Sequence, residues 1–186
     1  DGEESILLEC YKEFLQIHDN LALVLAPRHV ERARDVVGEI ESHGFQAVRR
    51  TGVEHRPTSA RRTPDEVLLI DTTGELRNFY AAADVIFIGK SLCSTGGQNI
   101  SEPAVHGKPV VVGPQMGNFP VVINEFLSAD AIRQVPGPDC LEPVLGELLG
   151  DPGLCSRIGG NAEALVQEKS GAIRDTVDLI EQRIRA

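Results

Sequence analysis

Six short β-branched runs separated by helical patterns predict an α/β chain built on a Rossmann-like, doubly wound parallel sheet. The runs cover residues 21–26, 46–50, 67–70, 85–88, 110–112 and, more weakly, 131–135. Each is nearly continuous in apolar residues, as expected of strands covered on both faces. Helix periodicity or helix stops fill most of the intervals, and alternation of this kind builds a parallel sheet with right-handed crossovers.

In chain order, 4–17 places Ile6, Leu7, Cys10, Phe14 and Ile17 on one helix face, with acids in the first turn where the helix dipole favours them. A second helix over 31–43 closes at Gly44. Residues 51–64 crowd His, Arg, Pro, Thr and Ser together and read as the one long loop. Helical patterns follow over 74–82, over a short turn at 100–106 closed by Gly107, and over 121–128. Beyond Val135 come 141–149, 153–168 and 173–184, three helices with no strand between them, so the sheet ends near Val135. There is no internal repeat and no low-complexity tract. At 186 residues the chain is about one domain's worth, and 1–186 reads as a single domain able to bury a core without disulfide or metal staples.

Eighteen Lys plus Arg against twenty-eight Asp plus Glu leave a net charge of −10, which repels a phosphate backbone over most of the surface and argues against nucleic acid as a partner. A compact phosphate pocket lined by backbone amides survives that argument, because a local site needs no basic protein around it. The longest apolar stretches, 85–89 and 109–113, are far short of the roughly 20 residues that span a bilayer, so a soluble chain is expected. Cys10, Cys93, Cys140 and Cys155 stand alone without CxxC or Cys/His spacing. They read as small buried hydrophobes of a reducing compartment, and no metal site or cofactor is expected. The chain opens on Asp1-Gly2-Glu3 without Met or a signal-peptide pattern, which reads as a fragment with sequence upstream.

Doubly wound sheets bind ligands at the carboxyl ends of their strands, so the loops after each strand matter most. Pro27-Arg28-His29 follows the first run. Arg28 is placed to fork two oxygens of a phosphate or carboxylate, or simply to pair with an acid such as Glu31; His29 carries no catalytic assignment. Asp71-Thr72-Thr73-Gly74-Glu75-Leu76 follows the third run; Thr72 and Glu75 have capping-box spacing, and a structural role and ligand contact both fit. The most informative loop is 91–103, SLCSTGGQNISEP. Gly96 and Gly97 let backbone approach a ligand, Asn99 or a neighbour caps the helix that follows, and Pro103 requires that helix to begin no more than a turn earlier. Its free amides describe an anion cradle, and Glu102 a carboxylate for a ribose diol. The loop 113–119 is a fourth polar, glycine-bearing segment that either closes the pocket or turns the chain. No GxGxxG, Walker lysine, GxSxG, HExxH or paired catalytic carboxylate motif is present.

GEE at 2–4, PRH at 27–29, RR at 49–50, LLIDTTGEL at 68–76, YAAADVIFIGKSL at 80–92, GGQNISEPAVHGKPVVVGP at 96–114 and NF at 118–119, in that order, resemble the C-terminal domain of the 3-deoxy-D-manno-octulosonic acid (Kdo) transferases of Gram-negative lipopolysaccharide synthesis. The likeness covers roughly 2–135. It implies the C-terminal half of a GT-B glycosyltransferase, in which one Rossmann-like domain holds the lipid A acceptor and the other the CMP-Kdo donor. This chain is similar to the donor half, with the acceptor domain outside it and membrane contact, at the cytoplasmic face of the inner membrane, left to the full-length enzyme.

The resemblance implies that Arg28 meets the donor's phosphate or sugar carboxylate and that Thr73, Gly74, Glu75 and Leu76 line the cytidine side. It further implies that Gly96, Gly97, Gln98 and Asn99 present amides and side chains to the donor, while Glu102 holds the ribose hydroxyls. Two positions depart from the family pattern. Gln98 stands where His is usual and cannot carry a proton, and Lys90 stands where Gly is usual. The family also has a strand just before GEE that this chain begins too late to include, which implies a sheet strand short of one partner. The implied reaction is an inverting, metal-free transfer of Kdo from CMP-Kdo to a lipid A hydroxyl. Its general base lies in the other domain, so the chain alone is expected to have no catalytic residue and no activity. The competing readings are a sugar-nucleotide epimerase domain of GT-B-like fold and a non-catalytic nucleotide-binding module.

Overall fold

A computed structural model of the chain describes residues 2–53 and 63–185, with side chains to residue 171. Its elements run α1 (Glu3–Phe14), β1 (Val24–Leu25), α2 (Ala33–Ser42), β2 (Gln46–Arg49), α3 (Arg50–Val53), β3 (Glu66–Leu69), α4 (Leu76–Ala82), β4 (Ile86–Ile88), α5 (Ser101–Ala104), β5 (Val110–Val112), α6 (Pro120–Ser128), β6 (Arg133–Gln134), α7 (Leu141–Gly150) and α8 (Pro152–Arg185). All six expected strands are present, and every strand pair is parallel. They fall into two three-stranded sheets, ordered β1-β3-β2 and β4-β5-β6. The chain divides correspondingly into two compact units, 1–79 and 80–186.

In the first unit, β3 is central and α1 packs on α2. The core gathers Leu8, Tyr11, Leu25, Ala33, Val36, Ile40, Phe45, Val67 and Leu69. The buried face of α1 differs from the expected one: Leu8, Cys10, Tyr11 and Phe14 are inside, Ile6 and Leu7 are half-buried, and Ile17 is 76% exposed beyond the helix end. Tyr11 turns the face, because its ring lies 5.2 Å from that of Phe45 while its hydroxyl shares its proton between the carbonyls of Leu21 (3.2 Å) and Pro64 (3.0 Å). β2 is also less covered than expected, with Gln46 and Arg49 exposed, as an edge strand allows. Of the loop expected over 51–64, residues 51–53 belong to α3 and 54–62 lie outside the described residues.

In the second unit, β5 is central and its three valines are completely buried. Around it pack Ile86, Ile88, Ile100, Ala104, Met116, Ile123, Phe126, Ile132 and Ala162. The two helices expected over 153–168 and 173–184 are one, α8. Gly171 costs that helix about 1 kcal/mol but does not remove a hydrogen bond, and no proline interrupts the ladder. Asp151 starts α8 by accepting the Leu154 N–H at 2.9 Å, and Pro152 occupies the first helical position. The cysteines depart from expectation: Cys10 is buried, Cys140 and Cys155 are half-buried, and Cys93 is exposed. Among the described residues no helix is long and apolar enough to cross a membrane.

α5 and α8 meet where two backbones nearly touch. Gly107, at φ +62°, ends the turn after α5, and its carbonyl occupies the space that a Cβ on Gly159 would need. Gly160, one residue on, faces open solvent. Gly159→Ala should therefore destabilise the chain by about 3 kcal/mol or more in urea unfolding, because backbone rather than a flexible side chain must yield. Gly160→Ala should instead stabilise it by about 0.5–1 kcal/mol through helix propensity. Equal effects of the two substitutions would contradict this packing.

Candidate functional site

The expected ligand residues divide between the units, Arg28 and Thr73 to Leu76 in the first and Gly96 to Glu102 in the second. In the first, Arg28 and Thr73 to Glu75 lie in loops that leave the carboxyl ends of β1 and β3, and Leu76 follows as the first residue of α4. Arg28 is exposed and pairs with neither Glu31 nor any other acid among the described residues, so its guanidinium is available to a ligand. Thr73 and Gly74 are exposed, with Gly74 at φ +85°, and Leu76 is half-buried at the start of α4.

Glu75 is engaged. Arg50 Nη2 donates to its Oε1 at 2.8 Å, and the Thr72 hydroxyl donates to its Oε2. The capping-box spacing thus yields a side chain to side chain bond ahead of α4 instead of the reciprocal backbone cap. The Thr72 bond holds the Glu75 carboxyl below its ordinary value; partial desolvation opposes it and the charge of Arg50 assists it. Asp71 caps the neighbouring α3, accepting the Thr51 N–H at 3.0 Å and hydroxyl at 2.7 Å. Desolvation pushes the Asp71 carboxyl up, but the Thr51 bonds and the charge of Arg49 outweigh it and leave it lowered.

In the second unit, the coil after β4 is tied to the coil after β5. The Ser91 hydroxyl, fully buried, donates to Ile88 O at 2.6 Å and accepts the Gly113 N–H at 2.8 Å. Gly113 passes so close to the Ser91 carbonyl that a Cβ there would overlap it. Gln115 N–H donates to Ser91 O at 2.8 Å, and Gln134 Nε2 donates to Gly113 O at 3.1 Å. Both glycines of the pair have left-handed φ, +119° at Gly96 and +66° at Gly97. Asn118 and Met116 fill the space where their side chains would stand. Lys90 also adopts a left-handed φ, +58°, which costs a residue with a Cβ about 1 kcal/mol and accounts for the fit of glycine there in the resembled family.

This network corrects one expectation. The amides of Gly96 and Gly97 are not free: Gly96 N–H donates to Gln115 O at 3.0 Å, and Gly97 N–H to Lys90 O at 2.8 Å. The glycines shape the coil and leave donation to the next residues. The backbone N–H groups of Gln98, Asn99 and Ile100 have no hydrogen-bond partner among the described residues. The N-cap is Ile100, which has no side-chain bond to give; Asn99, one residue earlier, accepts the Ser101 N–H through its Oδ1 at 3.0 Å, and Pro103 sits at the third residue of α5, within the first turn as required. Glu102 is exposed, with only a long 3.4 Å contact from Asn99 Nδ2. Burial pushes the Tyr80 phenol up, and the charge of Glu102 adds to the effect.

Ser91, Gln115 and Met116 were not singled out from sequence, although Ser91 opens the polar loop that follows β4 and Gly113-Pro114-Gln115 opens the one that follows β5. Among the described residues no three His, Cys, Asp or Glu side chains converge as metal ligands do. A shallow hollow of about 470 Å³, bordered by Gly2, Glu4, Arg32, Asp35, Val36 and Glu39, lies beside α1 and α2 and includes none of the expected residues. Its lining is acidic, with Arg32 already paired to Glu4 at 2.9 Å, so an anionic donor gains nothing there.

No protein-family model matches the chain. It is 32% identical over 184 residues to the 3-deoxy-D-manno-octulosonic acid transferase of Haemophilus influenzae, covering 97% of this chain and 41% of that protein. It is 31% identical over 185 residues to the same-named protein of Bordetella pertussis, again 97% of this chain and 42% of the relative. The chain thus spans about two fifths of the length of the curated relatives it matches. Its fold superimposes with a TM-score of 0.79 on the crystal structure of the C-terminal CMP-Kdo binding domain of WaaA from Acinetobacter baumannii, at 28% identity, covering 90% of this chain and 84% of that one.

The engaged Glu75 carboxylate has a pH signature. Because its folded value is lowered, its contribution to stability is fully present above its ordinary 4.5 and is lost as pH falls through the folded value. Chemical unfolding of wild type and Glu75→Gln should differ at neutral pH and converge in the acid window below the ordinary 4.5 of a glutamate. A difference that stays constant across that window would mean that the carboxylate is unpaired in solution.

Proposed function

The chain belongs to the 3-deoxy-D-manno-octulosonic acid (Kdo) transferase family, and from that premise we propose that it is the donor-binding domain, 1–186, holding CMP-Kdo while Kdo passes to a lipid A precursor. The observation that carries this reading is the coil after β4: three consecutive amides without partners at Gln98, Asn99 and Ile100, followed by the exposed carboxylate of Glu102. α5 has only four residues, so its dipole is small and the amides themselves do the binding. An anion and a diol are the two groups such a coil is fitted to hold, and a cytidine monophosphate carries both.

In this reading the amides of residues 98–100 receive phosphate oxygens, and Glu102 accepts hydrogen bonds from the ribose hydroxyls. Gly96 and Gly97 bring the backbone to the donor, and the Gln98 and Asn99 side chains add hydrogen bonds. For the first unit by itself, the resemblance assigns Arg28 to the phosphate or the sugar carboxylate and Thr73, Gly74, Glu75 and Leu76 to the cytidine side. Displacement with inversion at the anomeric carbon breaks its bond to the phosphate oxygen, so negative charge grows on the departing CMP. Amides fixed in place bind that growing charge better than the ground state and so lower the barrier. The base that takes the acceptor's proton belongs to the part of the enzyme outside this chain. By itself the chain binds CMP and transfers nothing, and the full enzyme works at the cytoplasmic face of the inner membrane.

Calorimetric titration tests the reading. Wild type should bind CMP, and UMP more weakly. Glu102→Ala should keep its fold and Tm and lose about tenfold in CMP affinity, as expected for removing a charged acceptor from a diol. A folded Glu102→Ala with unchanged affinity would overturn the ribose assignment, and preference for UMP would favour an epimerase-like site.

A further inference from the structure

We propose that Ser91 is a positioning residue for donor binding, an inference that rests on the donor-site reading above and adds a residue that touches no ligand. The distances already given make Ser91 the junction of the two coils. Its hydroxyl joins Ile88 O at the end of β4 to Gly113 N–H at the end of β5, and its carbonyl holds Gln115 N–H. Gln115 in turn holds Gly96 through its own carbonyl, and Gly96 O accepts the Asn118 N–H at 3.2 Å. The chain of bonds therefore runs from Ser91 to the residue two before Gln98.

A hydroxyl suits this place because it donates and accepts at once between two buried backbone groups of opposite kind. Alanine supplies neither function. It leaves the Gly113 N–H without an acceptor in a buried strand end, and the segment relaxes until that donor reaches water or another carbonyl. Gly113 and Gln115 then shift, and Gly96 shifts with them. The amides of residues 98–100 lose the spacing that a phosphate requires, since a mispositioned donor contributes little to a charge-assisted bond.

The test compares the 186-residue chain as wild type, Ser91→Ala, Ser91→Cys and Phe126→Leu, the last a core substitution in α6 of the same unit that takes no part in the hydrogen bonds joining the two coils. CMP affinity is read by calorimetry at a temperature where circular dichroism shows each protein folded, and amide hydrogen exchange is read by NMR without ligand. Ser91→Ala should bind CMP at least tenfold more weakly and exchange faster at Gly96, Gly97 and Gly113, with the central strand unchanged. Phe126→Leu should lose Tm and keep its CMP affinity within twofold. If Ser91→Ala does not fold, Ser91→Cys, nearly isosteric but a poorer donor and acceptor, decides with an expected loss of at least threefold. Wild-type affinity in either folded Ser91 variant, or an equal loss in Phe126→Leu, overturns the positioning role while leaving the donor site standing. A wild type that does not bind CMP overturns the donor-site reading and this inference with it.

Discussion

The near contact between Gly113 and the Ser91 peptide sets the architecture of the second unit's carboxyl edge. Two parallel strands end side by side, and their coils would ordinarily diverge toward solvent. Here one residue without a side chain lets them converge, and a buried hydroxyl satisfies the polar groups that the convergence strands. Every later feature of the coil follows from that fixed start: the left-handed turn at Lys90, the paired glycines folded over Met116 and Asn118, and the donors left over at residues 98–100. An anion cradle needs donors that are held in place and unsatisfied, and the network supplies the first condition by using up the glycine amides.

The packing of α5 against α8 works in the same direction from behind. A one-turn helix has little stability of its own, since nucleation is unfavourable and propagation has hardly begun. Contact between Gly107 and Gly159, together with the burial of Ile100 and Ala104 in the core, holds it in place. In the first unit the ordering device is ionic. Arg50, Thr72 and Glu75 converge in one group and Thr51 and Asp71 in another, both at loops leaving the carboxyl end of that sheet. These groups are exposed enough that solvent screens them, so they orient the loop more than they stabilise the unit.

Much of this was legible in the sequence. All six β-branched runs became strands, and the 110–112 run matched β5 residue for residue because a fully buried central strand has no competing exposed face. The position of Pro103 located the start of α5 to within a turn. The departure at Lys90 was visible in the sequence, but its backbone meaning was not: the structure shows there a left-handed φ on a residue with a Cβ. What the sequence concealed were partnerships across distance. Nothing in the pattern GGQN distinguishes an amide bonded to Lys90 or Gln115 from one that is free, since the acceptors belong to other segments. Periodicity placed Ile17 inside α1 and could not weigh a tyrosine whose hydroxyl finds two carbonyls. The join between 168 and 173 was misplaced because a single glycine weakens a helix without ending it.

Donor binding at the coil after β4 turns on which backbone amides a nucleotide meets. NMR titration of the isotope-labelled chain with CMP reads them individually. The largest shifts in the second unit should come from the amides of Gln98, Asn99 and Ile100, with those of Gly96 and Gly97, already bonded within the protein, moving less. Saturable binding that leaves the 98–100 amides unmoved while other parts of the chain respond would contradict it.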